Sequence, residues 1–375
     1  MKKENRPAIP HKVANVLWAR AAGRCEFEGC NELLCEDWLT GKVVNGSQIA
    51  HILPVANSAR ATEEQTEELK TDINNLMLIC YKHHNLIDKS APNEYPKERL
   101  LAMKRKHEER IRRATAVQEN KQTLVVMYAA NIEHDTPLLS YSMAQQALSP
   151  EYYVSEHSPI RIQLNGKTYE KDDGFWKFEQ LNLKRSIQQN VIDHFGECGY
   201  EHISVFALAP QALLVQLGVL LNEKYPVRTY QKIRTPNTWR WQEESLDLPL
   251  KIKREGDKEK QPVVIFALSG YDIISRTKSY YKEEADFWIV TTDESRLDLI
   301  KTESQLNVFN VFTRKLYEEI TNSTKYELVH IHMAMSNSCA IELGRTWMPK
   351  VHKNLLLFEN NKDVIEEAIT IENTI

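Results

Sequence analysis

A chain of 375 residues that is 42% apolar and 27% charged is globular in composition and too long for one ordinary core, so two or three domains are expected. Its formal net charge of −4 hides an asymmetry: residues 1–118 carry 19 Lys and Arg against 16 Asp and Glu (+3), and residues 119–375 carry 29 against 36 (−7), which argues against a basic duplex-binding surface in the second part and favours the first for contact with DNA or RNA. No apolar run approaches a membrane span, no apolar stretch follows the N-terminal residues, and six cysteines make no disulfide framework in a chain this long, so a cytoplasmic protein without membrane contact, whose close cysteines bind metal, is expected.

In chain order, residues 11–23 read as a helix leading into Cys25-x4-Cys30. Residues 42–53 read as a hairpin carrying His51, and the polar, acidic stretch 57–72 as a loop or short helix. A helix begins near Lys82 or His83. Pro96 opens a charged helix over 97–117 that holds Lys97, Arg99, Lys104, Arg105, Lys106, Arg110, Arg112 and Arg113 against Glu98, Glu108 and Glu109. Such a helix is equally a solvated linker or a contact to a DNA backbone.

From Thr123 the texture changes. Residues 124–130 form a continuous apolar run, the pattern of a buried strand. Helices are predicted at 179–196, 210–222, 304–321 and 338–348, and strands at 202–208, 226–231, 262–268, 286–291, 327–335 and 354–358. Strands alternating with helices imply an α/β domain with a largely parallel sheet. The pattern also recurs: Phe206-Ala207-Leu208-Ala209-Pro210-Gln211 precedes Leu217-Gly218 as Met333-Ala334-Met335-Ser336-Asn337-Ser338 precedes Leu343-Gly344, about 126 residues later. Two related halves in tandem are expected, at about 119–255 and 256–375.

The first domain, residues 1–118, carries the chemistry. A structural zinc ion needs four ligands arriving in close pairs, and Cys25-x4-Cys30 with Cys80-x2-His83 supplies them, with Cys35 as an alternative to Cys30. His51 is the candidate general base, since phosphodiester hydrolysis near pH 7 needs a group that takes a proton from water. Asn75 is placed to orient the imidazole or the substrate, and His84 to hold a second, catalytic divalent ion, Mg or Mn, that polarises the scissile phosphate.

Ala50-His51-Ile52-Leu53-Pro54, Asn75 and Cys80-x2-His83-His84 together resemble the HNH endonuclease family, which implies a zinc-bound α+β domain with a ββα-metal site that cuts DNA. Two positions depart from the family's pattern. Ala50 stands where many members carry an acid, so Asn75, Asp88 or a water must complete the catalytic metal's shell beside His84, and His83 stands where many carry a cysteine, so that His83 and His84 are interchangeable in this reading.

Residues 119–375 resemble the SAVED domain, a fusion of two CARF-like (Rossmann-like) halves that binds cyclic oligonucleotides, through residues 206–210, Leu217-Gly218, Trp239-Arg240-Trp241, residues 266–270 and the segment 330–344. In parallel α/β sheets ligands sit beyond the carboxyl ends of strands, where helix N-termini meet phosphates. The candidates there are Pro210 and Gln211, Ser336, Asn337 and Ser338, and Ser269, Gly270 and Tyr271. Trp239, Trp241, Tyr271 and Tyr280 are candidates to stack purines, and Arg234 or Lys278 to meet phosphate, although either tryptophan is as readily a packing residue.

The two resemblances together imply an effector of CBASS antiphage defence. Its activator is a cyclic di- or trinucleotide, a cyclic dinucleotide being favoured, its active form a homo-oligomer from dimer to tetramer, and its substrate double-stranded DNA cut with little sequence preference, the helix 97–117 transmitting the change. A restriction-type HNH endonuclease whose second part recognises specific or modified DNA is the alternative, and a zinc-knuckle module that senses nucleotides without catalysis is a third.

Overall fold

The computed structural model describes residues 9–37, 39–53, 67–116, 121–131, 139–163, 174–244, 246–361 and 364–373. The chain divides into two units, Met1–Val117 and Gln118–Ile375.

In the first unit, Pro10 precedes helix α1 (His11–Ala21), which Ala22 closes in the left-handed conformation. Strand β1 (Ser47–His51) is followed by α2 (Glu67–Thr71) and a 3-10 turn over Ile73–Asn75. Strand β2 (Leu76–Cys80) runs directly into α3 (Tyr81–Asn85), and α4 spans Lys97–Thr115. Residues 54–66, including Pro54 and most of the acidic stretch, and Val117 lie outside the described residues. The expected local hairpin at 42–53 is not formed. β1 pairs antiparallel with β2, Ser47 opposite Cys80 and His51 opposite Leu76, because Leu-Met-Leu-Ile-Cys is the apolar strand that can bury every residue. Around it gather Leu17 and Ala21 of α1 and Leu100 and Met103 of α4. The stripe Leu100, Met103 and His107 is buried at helical spacing, so α4 is an integral wall of this unit and not a solvated linker.

The second unit contains β3 (Gln122–Ala129), α5 (Tyr141–Leu148), β4 (Tyr153–Val154) and β5 (Ile160–Gln163). The expected helix at 179–196 is two, α6 (Phe175–Ile187) and α7 (Asp193–Glu197), joined by a π turn. Then come β6 (Ile203–Leu208), α8 (Gln211–Leu221), β7 (Val227–Tyr230), β8 (Leu250–Gly256), β9 (Pro262–Ala267), α9 (Asp272–Tyr280) and β10 (Asp286–Thr292). The chain closes with α10 (Glu303–Ser323), β11 (Leu328–Ala334), α11 (Asn337–Thr346), β12 (Asn354–Asn361) and β13 (Val364–Ile371). Thr302 and Gln305 form a capping box at the start of α10.

Two sheets result, one ordered β4-β3-β6-β7 with β5 also on β3, the other β13-β12-β11-β9-β10-β8. Within each, a parallel trio repeats the same order, β3-β6-β7 and β9-β11-β12. The boundary expected at 255/256 falls inside β8, which pairs with β10, so the second sheet begins by Leu250. The halves meet where α8 packs on α11. A Cβ on Gly218 would stand 2.0 Å from the Ile341 carbonyl oxygen, and one on Gly344 2.0 Å from that of Val215. Both pairs, Gly218 with Gly344 and Val215 with Ile341, are separated by 126 positions (344 less 218, 341 less 215), so the contact is quasi-twofold and follows the sequence repeat.

Candidate functional site

In the first unit the loop after α1 folds back on β2. Glu26 N–H donates to the Leu78 carbonyl at 2.9 Å, and the Glu26 carboxylate accepts from Leu78 N–H at 2.5 Å. Burial raises this carboxyl to about 7, against the Lys104 ammonium 3.9 Å away. The strap places Cys25 beside Cys80, whose N–H points at the Cys25 sulfur at 3.3 Å, while Cys30 N–H closes a turn on the Phe27 carbonyl. α3 begins immediately after Cys80 and returns His83 to the same point, where its ring stacks on Phe27 with centroids 4.0 Å apart.

The ligand atoms of Cys25, Cys30, Cys80 and His83 lie within 4.8 Å of one another. His83 Nδ1 is 3.2 Å from the Cys80 sulfur and 3.7 Å from that of Cys25. A tetrahedral zinc ion with Zn–S about 2.3 Å and Zn–N about 2.1 Å has edges of about 3.6 Å, so the donor set and its spacing fit that metal. Burial pushes the Cys25 and Cys80 thiols up and the His83 imidazole down. A bound cation reverses such thiol shifts by stabilising thiolates. Cys30, and not Cys35, joins the cluster.

His51 ends β1 with Nε2 2.9 Å from the Lys70 carbonyl oxygen. A carbonyl only accepts, so Nε2 is the donor in this contact and carries a proton. Asn75 is buried and does not reach the imidazole. Its Oδ1 accepts from Leu53 N–H at 2.7 Å, and its Nδ2 donates to the carbonyls of Leu53 (3.3 Å) and Leu69 (2.9 Å). It therefore ties the backbone at Leu53, two residues past His51, to that at Leu69, next to the Lys70 carbonyl that His51 meets, which is a positioning contact. Asp88 lies near His84, with Nε2 and Oδ2 3.5 Å apart. Ala50 is buried opposite Met77 and offers no ligand.

In the second unit the expected ligand residues separate into three groups. Pro210, Gln211, Ser336, Asn337 and Ser338 are brought together where the two halves meet. Gln211 Nε2 donates to the Met335 carbonyl just after β11 at 2.8 Å, and Asn337 Nδ2 to that of Ala207 in β6 at 3.4 Å, reciprocal bonds from the first residue of each helix to the strand end of the other half. Ser269 joins this end through its N–H to Ala334 O, followed by Gly270. Both helix N-termini have acceptors from the protein itself. The Glu359 carboxylate takes the N–H groups of Gln211 (3.3 Å) and Ala212 (3.1 Å), and Gln231 Oε1 takes that of Ser338 (3.0 Å). Pro210 and Ser336 occupy the cap positions without a side-chain bond.

Two expectations are corrected by packing. Trp239, 2% exposed, lies edge-on to Phe206, and Trp241 is buried over Tyr230, so neither presents a face to a base. Lys278 donates to Glu255 at 2.5 Å and lies, with Tyr280, toward the amino end of β9, because α9 runs antiparallel to the strands it connects. Tyr280 is half-exposed beside Phe358. Tyr271 donates its hydroxyl to the Thr292 carbonyl at 2.7 Å, and Arg234 is exposed beyond β7. Glu359, Gln231 and Glu26 are the shaping residues that the sequence did not single out.

The second unit is thus an α/β protein of two fused Rossmann-like halves, joined in one chain to a unit with a Cys3His cluster. Residues 183–371 match the family described as the SMODS-associated and fused to various effectors sensor domain, SAVED, and the chain belongs to that family. Among solved structures it is similar to the Acinetobacter baumannii Cap4 SAVED/CARF-domain containing receptor with the cyclic trinucleotide 2′3′3′-cAAA (10% identity, TM-score 0.42, covering 72% of this chain and 55% of that one). The same receptor with 3′3′3′-cAAA gives 11% identity, TM-score 0.42 and coverage of 72% and 56%, and that of Moraxella osloensis 10%, 0.38, 58% and 48%. The chain spans about half the length of these receptors. No curated protein matches it. Among the described residues no helix is long and apolar enough to cross a membrane.

Proposed function

We propose that the chain is a metal-dependent DNA endonuclease switched on by a cyclic oligonucleotide, acting as a CBASS antiphage effector. The observation that carries the reading is the Cys25, Cys30, Cys80 and His83 cluster at the foot of the β1-β2-α3 unit that bears His51 and His84, in a chain belonging to a sensor family described as fused to effectors.

Zinc at Cys25, Cys30, Cys80 and His83 would cross-link the loop after α1 to β2 and α3. A divalent ion at His84, with Asp88 beside it, would supply Lewis-acid stabilisation of the scissile phosphate and leaving oxygen. His51 does the proton chemistry. The Lys70 carbonyl fixes its tautomer, so Nδ1 takes the proton of the attacking water, and Asn75 keeps the flanking backbone from shifting. The site is sequence-blind, since nothing in this triad reads a base edge. The activator belongs at the α8 and α11 end of the second unit, and the active species is a homo-oligomer that presents two His51 sites to opposite strands.

The test is plasmid DNA with Mg²⁺ and a panel of cyclic di- and trinucleotides, 3′3′3′-cAAA and 2′3′3′-cAAA included. Cutting should occur with one ligand class only and be lost in His51→Ala, by a factor of about 100 or more. Ligand-independent cutting at fixed sites would instead point to a restriction-type enzyme.

A further inference from the structure

We propose that the groove between α1 and α4 is a track for the phosphate backbone of duplex DNA, with Arg20 and Arg105 as its phosphate contacts; this rests on the nuclease reading above. Eight cations lie on α4, and their partners divide them. On one side Arg99 donates to the Glu94 carbonyl, Lys106 to Glu28 and Arg110 to Asn31, so these clamp neighbouring loops of the first unit. Lys104 is buried between Glu26 and Glu108, and Arg112 and Arg113 share Glu109. Lys97 and Arg105 have no side-chain partner among the described residues.

Arg105 lines a groove of about 740 Å³, together with Ala19, Arg20, Asn74, Leu101 and Arg112. Its two acids, Glu108 and Glu109, are already neutralised by Lys104 and Arg112. Arg20, at the end of α1, is exposed and likewise without a partner among the described residues, so the groove holds two uncompensated guanidinium groups. On α4 it extends from Leu101 to Thr115, about 21 Å at 1.5 Å per residue, too long for one small anion and suited to a polymer with repeating charge. Asn74 at its wall is the chain neighbour of Asn75, which holds the backbone beside His51. Guanidinium groups contacting phosphates position a duplex without reading sequence, as an unselective nuclease needs.

The experiment measures binding of a fluorescent DNA duplex to the full-length His51→Ala protein from 50 to 200 mM salt, with zinc content and melting temperature recorded for each variant. Adding Arg20→Ala and Arg105→Ala should weaken binding about tenfold or more and flatten the slope of log K against log salt by about 1.8, at about 0.9 per phosphate contact. Arg20→Lys with Arg105→Lys should restore most of the slope, and Lys97→Ala, outside the groove, should change binding less than the double variant. Equal affinity and slope for the double variant and Lys97→Ala would overturn the track while leaving the nuclease reading intact. A parent protein that binds no duplex with or without 3′3′3′-cAAA or cyclic dinucleotides sinks both. Tighter binding of single-stranded RNA through the same arginines overturns the choice of DNA.

Discussion

Single residues in this chain do work that their type alone does not announce. Glu179 occupies the stripe Phe175, Glu179, Leu183 and Ile187 by which α6 faces the core, and it is 1% exposed. Asn182 is the polar side chain beside its carboxylate, and among the described residues the hydroxyl of fully buried Tyr128 has no hydrogen-bond partner. Burial raises the Glu179 carboxyl to about 7 from an ordinary 4.5. A raised carboxyl favours the folded state fully below the unfolded value, begins to lose that contribution as pH passes 4.5, and has lost it above about 7. Glu179→Gln should therefore melt higher than the parent at pH 8, by up to about 3 kcal/mol in stability, with the difference shrinking toward pH 4.5. Equal melting temperatures of the two proteins across pH 5–8 would exclude a buried neutral acid. At this scale the cluster of Cys25, Cys30, Cys80 and His83 was legible because Cys25-x4-Cys30 and Cys80-x2-His83 are set by local turns. The hydrogen bonds of Asn75 were not legible, since its partners at Leu53 and Leu69 depend on how the chain doubles back. The tryptophans were misplaced for the same reason: Phe206, which packs against Trp239, comes from another strand.

At the level of elements, the repeat read from two Leu-Gly pairs corresponds to a helix crossing. Apolar runs and helical periodicity located most strands and helices of the second unit within a few residues. They did not reveal α5, β4, β5, β8, α9 or β13, which are short or in which charged and polar residues interrupt the pattern. Nor could they show that Glu359 caps α8 from 148 positions away, an interaction that exists only once β12 has joined the sheet. The crossing itself makes a sharp demand. Because each glycine faces a backbone carbonyl at 2.0 Å from any Cβ, α8 and α11 must separate to admit one methyl group. Gly218→Ala and Gly344→Ala should each destabilise the second unit by about 1–3 kcal/mol, despite alanine's better helix propensity. Because the two glycines share one contact, the double variant should cost less than the sum of the singles. Denaturant midpoints of the four proteins check this, and a neutral or stabilising Gly218→Ala would show that the helices do not meet there.

Across the whole molecule the two units depend on different sources of stability. The second has a hydrophobic core that runs through both sheets, from Leu124 of β3 to Ile371 of β13, so its halves share one core and should unfold together. The first has, among its described residues, two five-residue strands and a small core, the kind of unit that in water needs further support. Its Cys3His cluster joins the loop after α1, the end of β2 and α3, so a metal ion held there would add its binding directly to the folding free energy. Calorimetry of the full chain should therefore show two transitions. Adding a zinc chelator, or substituting Cys80→Ser, should lower the first by on the order of 10 °C or more while leaving the second in place. A cyclic oligonucleotide that binds should raise the second by mass action, with the shift growing as the logarithm of ligand concentration. Any shift of the first transition by that ligand then measures the coupling between the two units, because a ligand moves a distant equilibrium only by the difference in its affinity for the two states. Two transitions that both ignore the chelator would remove zinc from the account. A single transition moved equally by chelator and nucleotide would instead make the two units one cooperative body.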